Sequence, residues 1–144
     1  MLKSFKTEID PTPEQKVTIN KTIGTCRYIY NFYLAHNKEL HDKGERFMSG
    51  KSFSVWLNNE YLPDHLDKAW IKEAYSKAVK KSIEDGCTAF TRFFKHQSNF
   101  PNFKKKGKSD VKMYFVRNNP KDCRCERHRI NIPTSRWVRL QEKG

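Results

Sequence analysis

Long apolar runs are missing from this sequence. No stretch approaches the ~20 consecutive apolar residues that a bilayer-spanning helix needs. The opening MLKSFKTEID alternates polar and apolar residues and has no apolar core region, which argues against a signal peptide. A soluble, intracellular protein is expected. Acidic residues are scarce: 16 Asp+Glu stand against 29 Lys+Arg, a formal net charge of +13 over 144 residues. That imbalance favours a polyanionic partner, nucleic acid first and an anionic membrane surface second. Also missing are a nucleophile constellation, a glycine-rich phosphate loop and paired carboxylates of defined geometry. Asp64, Asp67, Glu84 and Asp85 read as solvated helix charges, so no catalytic residue is assigned. Cysteine is limited to four residues. Cys26 and Cys87 fall on helix faces as small core residues. Cys123 and Cys125, with His128 nearby, lack the spacing and the second pair of a zinc site, so neither metal nor cofactor is expected.

What is present begins with a long amphipathic stretch. Thr12, Pro13 and Gln15 spell a helix start: a cap, a proline at the first helical position and a capping-box partner. Ile19, Ile23, Cys26, Tyr30, Tyr33 and Leu34 then share one face at helical spacing, out to about Asp42. Gly24 interrupts that helix at a cost of about 1 kcal/mol relative to alanine, which predicts close packing there. Ser52 to about Glu60 reads as a short helix closed by Pro63. Asp64 to Glu73 offers Leu66, Trp70 and Ile71 for burial in another. Ser76–Lys95 is a second strong helix, capped by Ser76, with Val79, Ile83, Gly86, Phe90, Phe93 and Phe94 in one stripe. The two stripes are expected to pack together as a small bundle. Lys77, Lys80 and Lys81 project from the opening turns, where cations oppose the helix dipole. A phosphate would relieve that conflict; solvated lysines are the plain alternative.

Period-two segments flank these helices. Residues 2–9 alternate as a strand that ends at Asp10-Pro11. Three more follow at VKMYFVR (111–117), HRINI (128–132) and WVRL (137–140). The fold class is therefore α+β: a β-lobe whose first strand pairs with the last ones, interrupted by a helical insertion. Four open strands have exposed edges, so the chain reads as part of something larger. Between Arg92 and Lys108 there are six Arg/Lys and no acid, interleaved with Phe93, Phe94, Phe100 and Phe103. Rings can stack bases while lysines neutralise phosphates; a tethered basic linker is the structural alternative.

Several of these segments carry a resemblance. F-K-x-x-I-x-P-T-P-E-Q, N-K-T-I-G-T-C-R-Y-I-Y-N-F-Y-L, A-F-T-R-F-F-K, F-P-N-F-K-K-K and I-P-x-x-x-W-V-R-L together resemble the N-terminal part of TnpB-type (OrfB) proteins of bacterial insertion sequences. The resemblance is loosest at 45–64 and 121–127. It implies an RNA-guided DNA endonuclease in the full-length members, with a helical recognition lobe inserted after the first strand of a wedge β-barrel. The same region is also described as a helix-turn-helix domain. On that basis residues 1–10 would be the first wedge strand, 11–100 the recognition lobe and 101–144 a basic linker with the remaining wedge strands. The RuvC-like catalytic segment has no counterpart here, so cleavage is not expected. Arg136 stands where many relatives have glycine.

The expected partners are guide RNA and double-stranded DNA, with a separate nuclease half or transposase as a further candidate, in the bacterial cytoplasm near the nucleoid. Pairing reads most of the target in such systems, and the protein reads shape and a short flanking motif. The residues expected to meet nucleic acid are Phe53 and Ser54, then Ser76, Lys77 and Lys80, then the run Lys104, Lys105, Lys106 and Lys108, and finally Tyr114 with Arg117. A sequence-specific helix-turn-helix regulator of transposition is the alternative, and a non-functional truncated product is another. Gly24 inside a sustained stripe argues against a turn between two short helices.

Overall fold

The computed structural model describes residues 8–106, 126, 128–132 and 135–140. The chain separates into two compact units, Met1–Lys21 with Phe115–Gly144, and Thr22–Tyr114.

In the first unit, β1 (Ile9–Asp10), β2 (Arg129–Ile132) and β3 (Arg136–Leu140) form an antiparallel sheet in the order β1-β3-β2. Ile9 faces Leu140 and Ile130 faces Val138, so the start of the chain does pair with its last strand. Val138, on the central strand, is fully buried. Among the described residues the sheet has three strands and is open; the strand expected at 111–117 lies outside them. Arg136 has a φ of 58°, the left-handed conformation that glycine adopts without strain. The first helix, α1 (Pro13–Asp42), begins in this unit with the expected capping box. The Thr12 N–H donates to Gln15 Oε1 at 2.9 Å, and the Gln15 N–H donates to Thr12 Oγ1 at 3.2 Å. Gln15 has a second task. Its Nε2 donates to the Ser135 and Trp137 carbonyls, at 3.1 and 2.7 Å, tying the helix start to β3.

The second unit holds the rest of α1 with α2 (Gly50–Trp56), α3 (Leu62–Asp64) and α4 (Ser76–Phe94). A π-helical turn, Leu57–Tyr61, and a 3-10 helix, Leu66–Glu73, connect them. The core joins Cys26, Ile29, Tyr30, Tyr33 and Leu34 of α1 to Val79, Ile83 and Phe90 of α4, with Phe53, Leu57, Leu62 and Ile71 between. The two stripes therefore meet as expected. Tyr33 and Phe90 lie edge to face, 5.9 Å apart.

Five local expectations are corrected. The close approach is at Gly86, not Gly24: a Cβ on Gly86 would lie 2.6 Å from the Tyr33 ring, whereas one on Gly24 would meet only Arg27 at 3.8 Å. The helix expected from Ser52 starts at Gly50, because the Ser49 hydroxyl accepts the Ser52 N–H at 3.3 Å and so caps it. Ser76 does not cap α4; Tyr75 occupies that position and makes no side-chain capping bond. Of Leu66, Trp70 and Ile71 only Ile71 is buried, since the 3-10 helix turns Leu66 outward, 79% exposed. Phe94 also departs from its stripe: one turn beyond Phe90 the core has ended, and the ring is 51% exposed.

Both long helices stop through the same hydrogen-bond pattern. At α1, the Gly44 N–H donates to the His41 carbonyl and the Glu45 N–H to that of Leu40, with Gly44 at φ 70°. At α4, His96 donates to Phe93 and Gln97 to Arg92, with His96 at φ 59°. This is the Schellman stop, which favours glycine at the left-handed position; α4 places a histidine there.

Candidate nucleic-acid interface

An open groove of about 650 Å³ crosses the second unit. Its floor is apolar, made by Leu57, Ile71, Val79 and Ile83. Its rim is polar and cationic: Ser54 from α2, Asn58 and Asn59 from the π-helical turn, Lys72 from the 3-10 helix, and Ser76, Lys77 and Lys80 from the first turns of α4. The groove thus collects four of the expected contact residues, Ser54, Ser76, Lys77 and Lys80, from two stretches more than twenty positions apart. Irregular π-turns recur at functional sites because they re-aim the side chains they carry. Here the Asn58 amide donates to the Ser54 carbonyl at 2.9 Å, which fixes its orientation at the rim.

Electrostatics on this face follow from the helix start. α4 has no acidic residue in its first turn and no capping side chain. Its opening N–H groups and Lys77 and Lys80 consequently present positive potential together. Lys81, on the same helix, lies 3.7 Å from Asp85 and 4.0 Å from Glu84.

Phe53 does not belong to this surface. Its side chain is wholly buried, packed edge-on against Tyr33 at 5.1 Å and Phe32 at 5.6 Å, so it supports the groove wall and cannot touch a partner.

The basic run forms a second surface. Lys104 is held by its backbone: its N–H donates to Asn31 Oδ1 at 2.8 Å, and Asn31 Nδ2 donates to its carbonyl at 2.9 Å. Its ammonium rests 4.2 Å from the centre of the Tyr30 ring. Lys105 and Lys106 are exposed. Lys108, Tyr114 and Arg117 lie outside the described residues, as do Cys123 and Cys125. Sequence reasoning missed Asn31 and the equivalent Asn37, whose amide accepts the Met48 N–H at 2.8 Å and donates to the Met48 carbonyl at 3.2 Å. A polar residue inside an apolar helical stripe was the available signal.

The buried part of the site is chemically quiet. Burial raises the Cys26 thiol above its ordinary range, and burial with the nearby Asp85 raises the Tyr30 hydroxyl. Tyr33 is pushed up further by burial, and its hydroxyl donates to the Met48 carbonyl at 2.9 Å. Among the described residues no group of three His, Cys, Asp or Glu side chains could hold a metal. None of their helices is long and apolar enough to cross a membrane.

Residues 1–46 match the family model of the OrfB–IS605 helix-turn-helix domain. The match covers about the first third of the chain. Within the OrfB segment, however, the described residues form β1 and then a single continuous helix, with no turn between two short ones. Over 97% of its length the chain is 28% identical to InsQ of Escherichia coli (strain K12), named a candidate RNA-guided DNA endonuclease. Over 80% it is 26% identical to a protein of Streptomyces pristinaespiralis named in the same way. The chain spans about a third of the length of these curated relatives. A shorter relative, the virulence protein VsdF of Salmonella dublin, is 27% identical over 74% of this chain and 95% of its own.

Proposed function

We propose that this chain binds nucleic acid as the N-terminal part of a TnpB-type transposon-encoded endonuclease, holding guide RNA and the duplex beside the target without itself cutting. The groove carries the reading, because it brings Ser54 together with Ser76, Lys77 and Lys80 on one cationic rim. In this reading the groove meets the duplex that flanks the target, and the Lys104–Lys108 run lies along a phosphate backbone. The sheet of the first unit would supply strands of a wedge barrel, and residues 11–100 the recognition lobe. The relatives' names and the net charge of +13 support the same assignment.

The double variant Lys77→Ala, Lys80→Ala tests it. Duplex binding should weaken, and the slope of log K against log salt should fall by about 2, roughly one for each phosphate contact removed. An unchanged slope would remove the groove from the interface. With magnesium and a guide, cleavage should stay at background. The alternative, a sequence-specific helix-turn-helix regulator, rests on the family label; it needs a recognition helix after a turn, and α1 is continuous from Pro13 to Asp42. A fixed DNA footprint in the absence of RNA would favour it.

A further inference from the structure

Three aromatic rings stay in solvent at the end of α4 and just beyond it: Phe94 and Phe103, each 51% exposed, and Phe100, 38% exposed. We propose that these rings form a stacking ledge for unpaired nucleobases, so that the basic segment after α4, residues 95–106 (the strap), receives a single strand and not a duplex. The proposal deepens the nucleic-acid reading of the strap and rests on it.

Two of the three rings are packed before any ligand arrives. Phe100 is wedged edge-on against Phe90 at 5.5 Å and Phe93 at 5.3 Å. Phe94 packs edge-on against Phe47 at 5.2 Å. The chain leaves α4 through the left-handed His96 and is caught again at Lys104 by the paired hydrogen bonds to Asn31. Phe103 is the residue before that clamp and lies three positions after Phe100, at most ~11 Å along the chain. Nucleotides of one strand can reach both rings. Little ordering then remains to oppose binding.

The chemistry selects the occupant. Phenylalanine offers a flat apolar face and no hydrogen bond, so it accepts any base whose own face is free. In a duplex those faces are already stacked within the helix. A protein partner fits less well, because the rings sit among Arg92, Lys95, Lys104, Lys105 and Lys106 with no acid in the segment, and interface centres are depleted of charge. A strand supplies bases to the rings and phosphates to the cations.

Salt separates the two contributions. Stacking releases no counterions, whereas phosphate contact does. The test uses the full chain, a labelled short oligouridylate and a labelled hairpin duplex, with affinity followed across a salt series. Phe94→Leu and Phe103→Leu keep the apolar volume and remove the flat face. Each should weaken oligouridylate binding ~10-fold at every salt concentration, leaving the slope and the duplex affinity unchanged. Lys104→Ala, Lys105→Ala and Lys106→Ala combined should lower the slope instead. Unaltered oligouridylate affinity in both leucine variants would overturn the ledge, as would an equal loss for the duplex. If the lysine variant also left the slope intact, the nucleic-acid reading of the strap would fall with it; a lowered slope beside silent leucine variants would remove the ledge alone.

Discussion

Gly86 and Gly24 are both helical glycines, and their surroundings give them opposite consequences. The ring facing Gly86 cannot retreat: Tyr33 is fully buried and its hydroxyl is bonded to the Met48 carbonyl. Gly86→Ala should therefore destabilise the protein by about 1–3 kcal/mol through overpacking. Gly24→Ala gains helix propensity with no clash and should stabilise by roughly 0.5–1 kcal/mol. Urea unfolding of the two variants checks both signs. His36 offers a pH-dependent counterpart. Its ring stacks on Trp56 with centroids 4.5 Å apart, and its Nε2 is buried without a hydrogen-bond partner. Burial lowers its pKa below the ordinary histidine value, against the weaker opposing pull of Glu39 and Glu45. The unfolded chain therefore binds the proton first. This residue costs nothing well above its unfolded pKa, near pH 6.5, and removes stability as pH falls through that value toward its folded pKa. Thermal unfolding from pH 7.5 down to 5 should show the decline, and His36→Phe should flatten it.

At the scale of elements, α1 acts as a template for segments that return to it. Asn31 and Asn37 lie six positions apart, and each presents an amide that pairs with both backbone groups of one residue, Lys104 and Met48. Asn37 is buried, so Asn37→Ala would strand the Met48 N–H in the interior, a loss of about 1–3 kcal/mol. Asn31→Ala should cost less stability, because that site is only half-buried, but it releases the strap. Amide exchange at Lys104 should accelerate in this variant while the α4 core keeps its protection. The stop of α4 is open to improvement: His96→Gly removes a left-handed side chain and should raise stability by about 1 kcal/mol, read as a higher melting temperature. Helix boundaries and faces were legible because caps and apolar periods are local signals. Thr12 with Gln15, and the run from Ile19 to Leu34, behave as their spacing demands. The π-turn after α2, the outward Leu66 and the cap at Ser49 were not legible, since neighbouring packing decides among local geometries of nearly equal energy.

At the scale of the whole molecule, the excess of 13 positive charges favours a polyanionic partner, while the places where the cations gather depend on chain return. Composition and periodicity alone determined the α+β class, the pairing of the first strand with the last and the meeting of the two aromatic stripes. These follow from hydrophobic burial, which any fold of this chain must satisfy. Tertiary structure decided the rest. It joined Ser54 to Lys77 and Lys80 across one groove, withdrew Phe53 from the surface, fixed Lys104 on Asn31 and left Phe94 in water. Each of those outcomes turns on a distance between residues remote in the chain, and such distances exist only once the helices have packed.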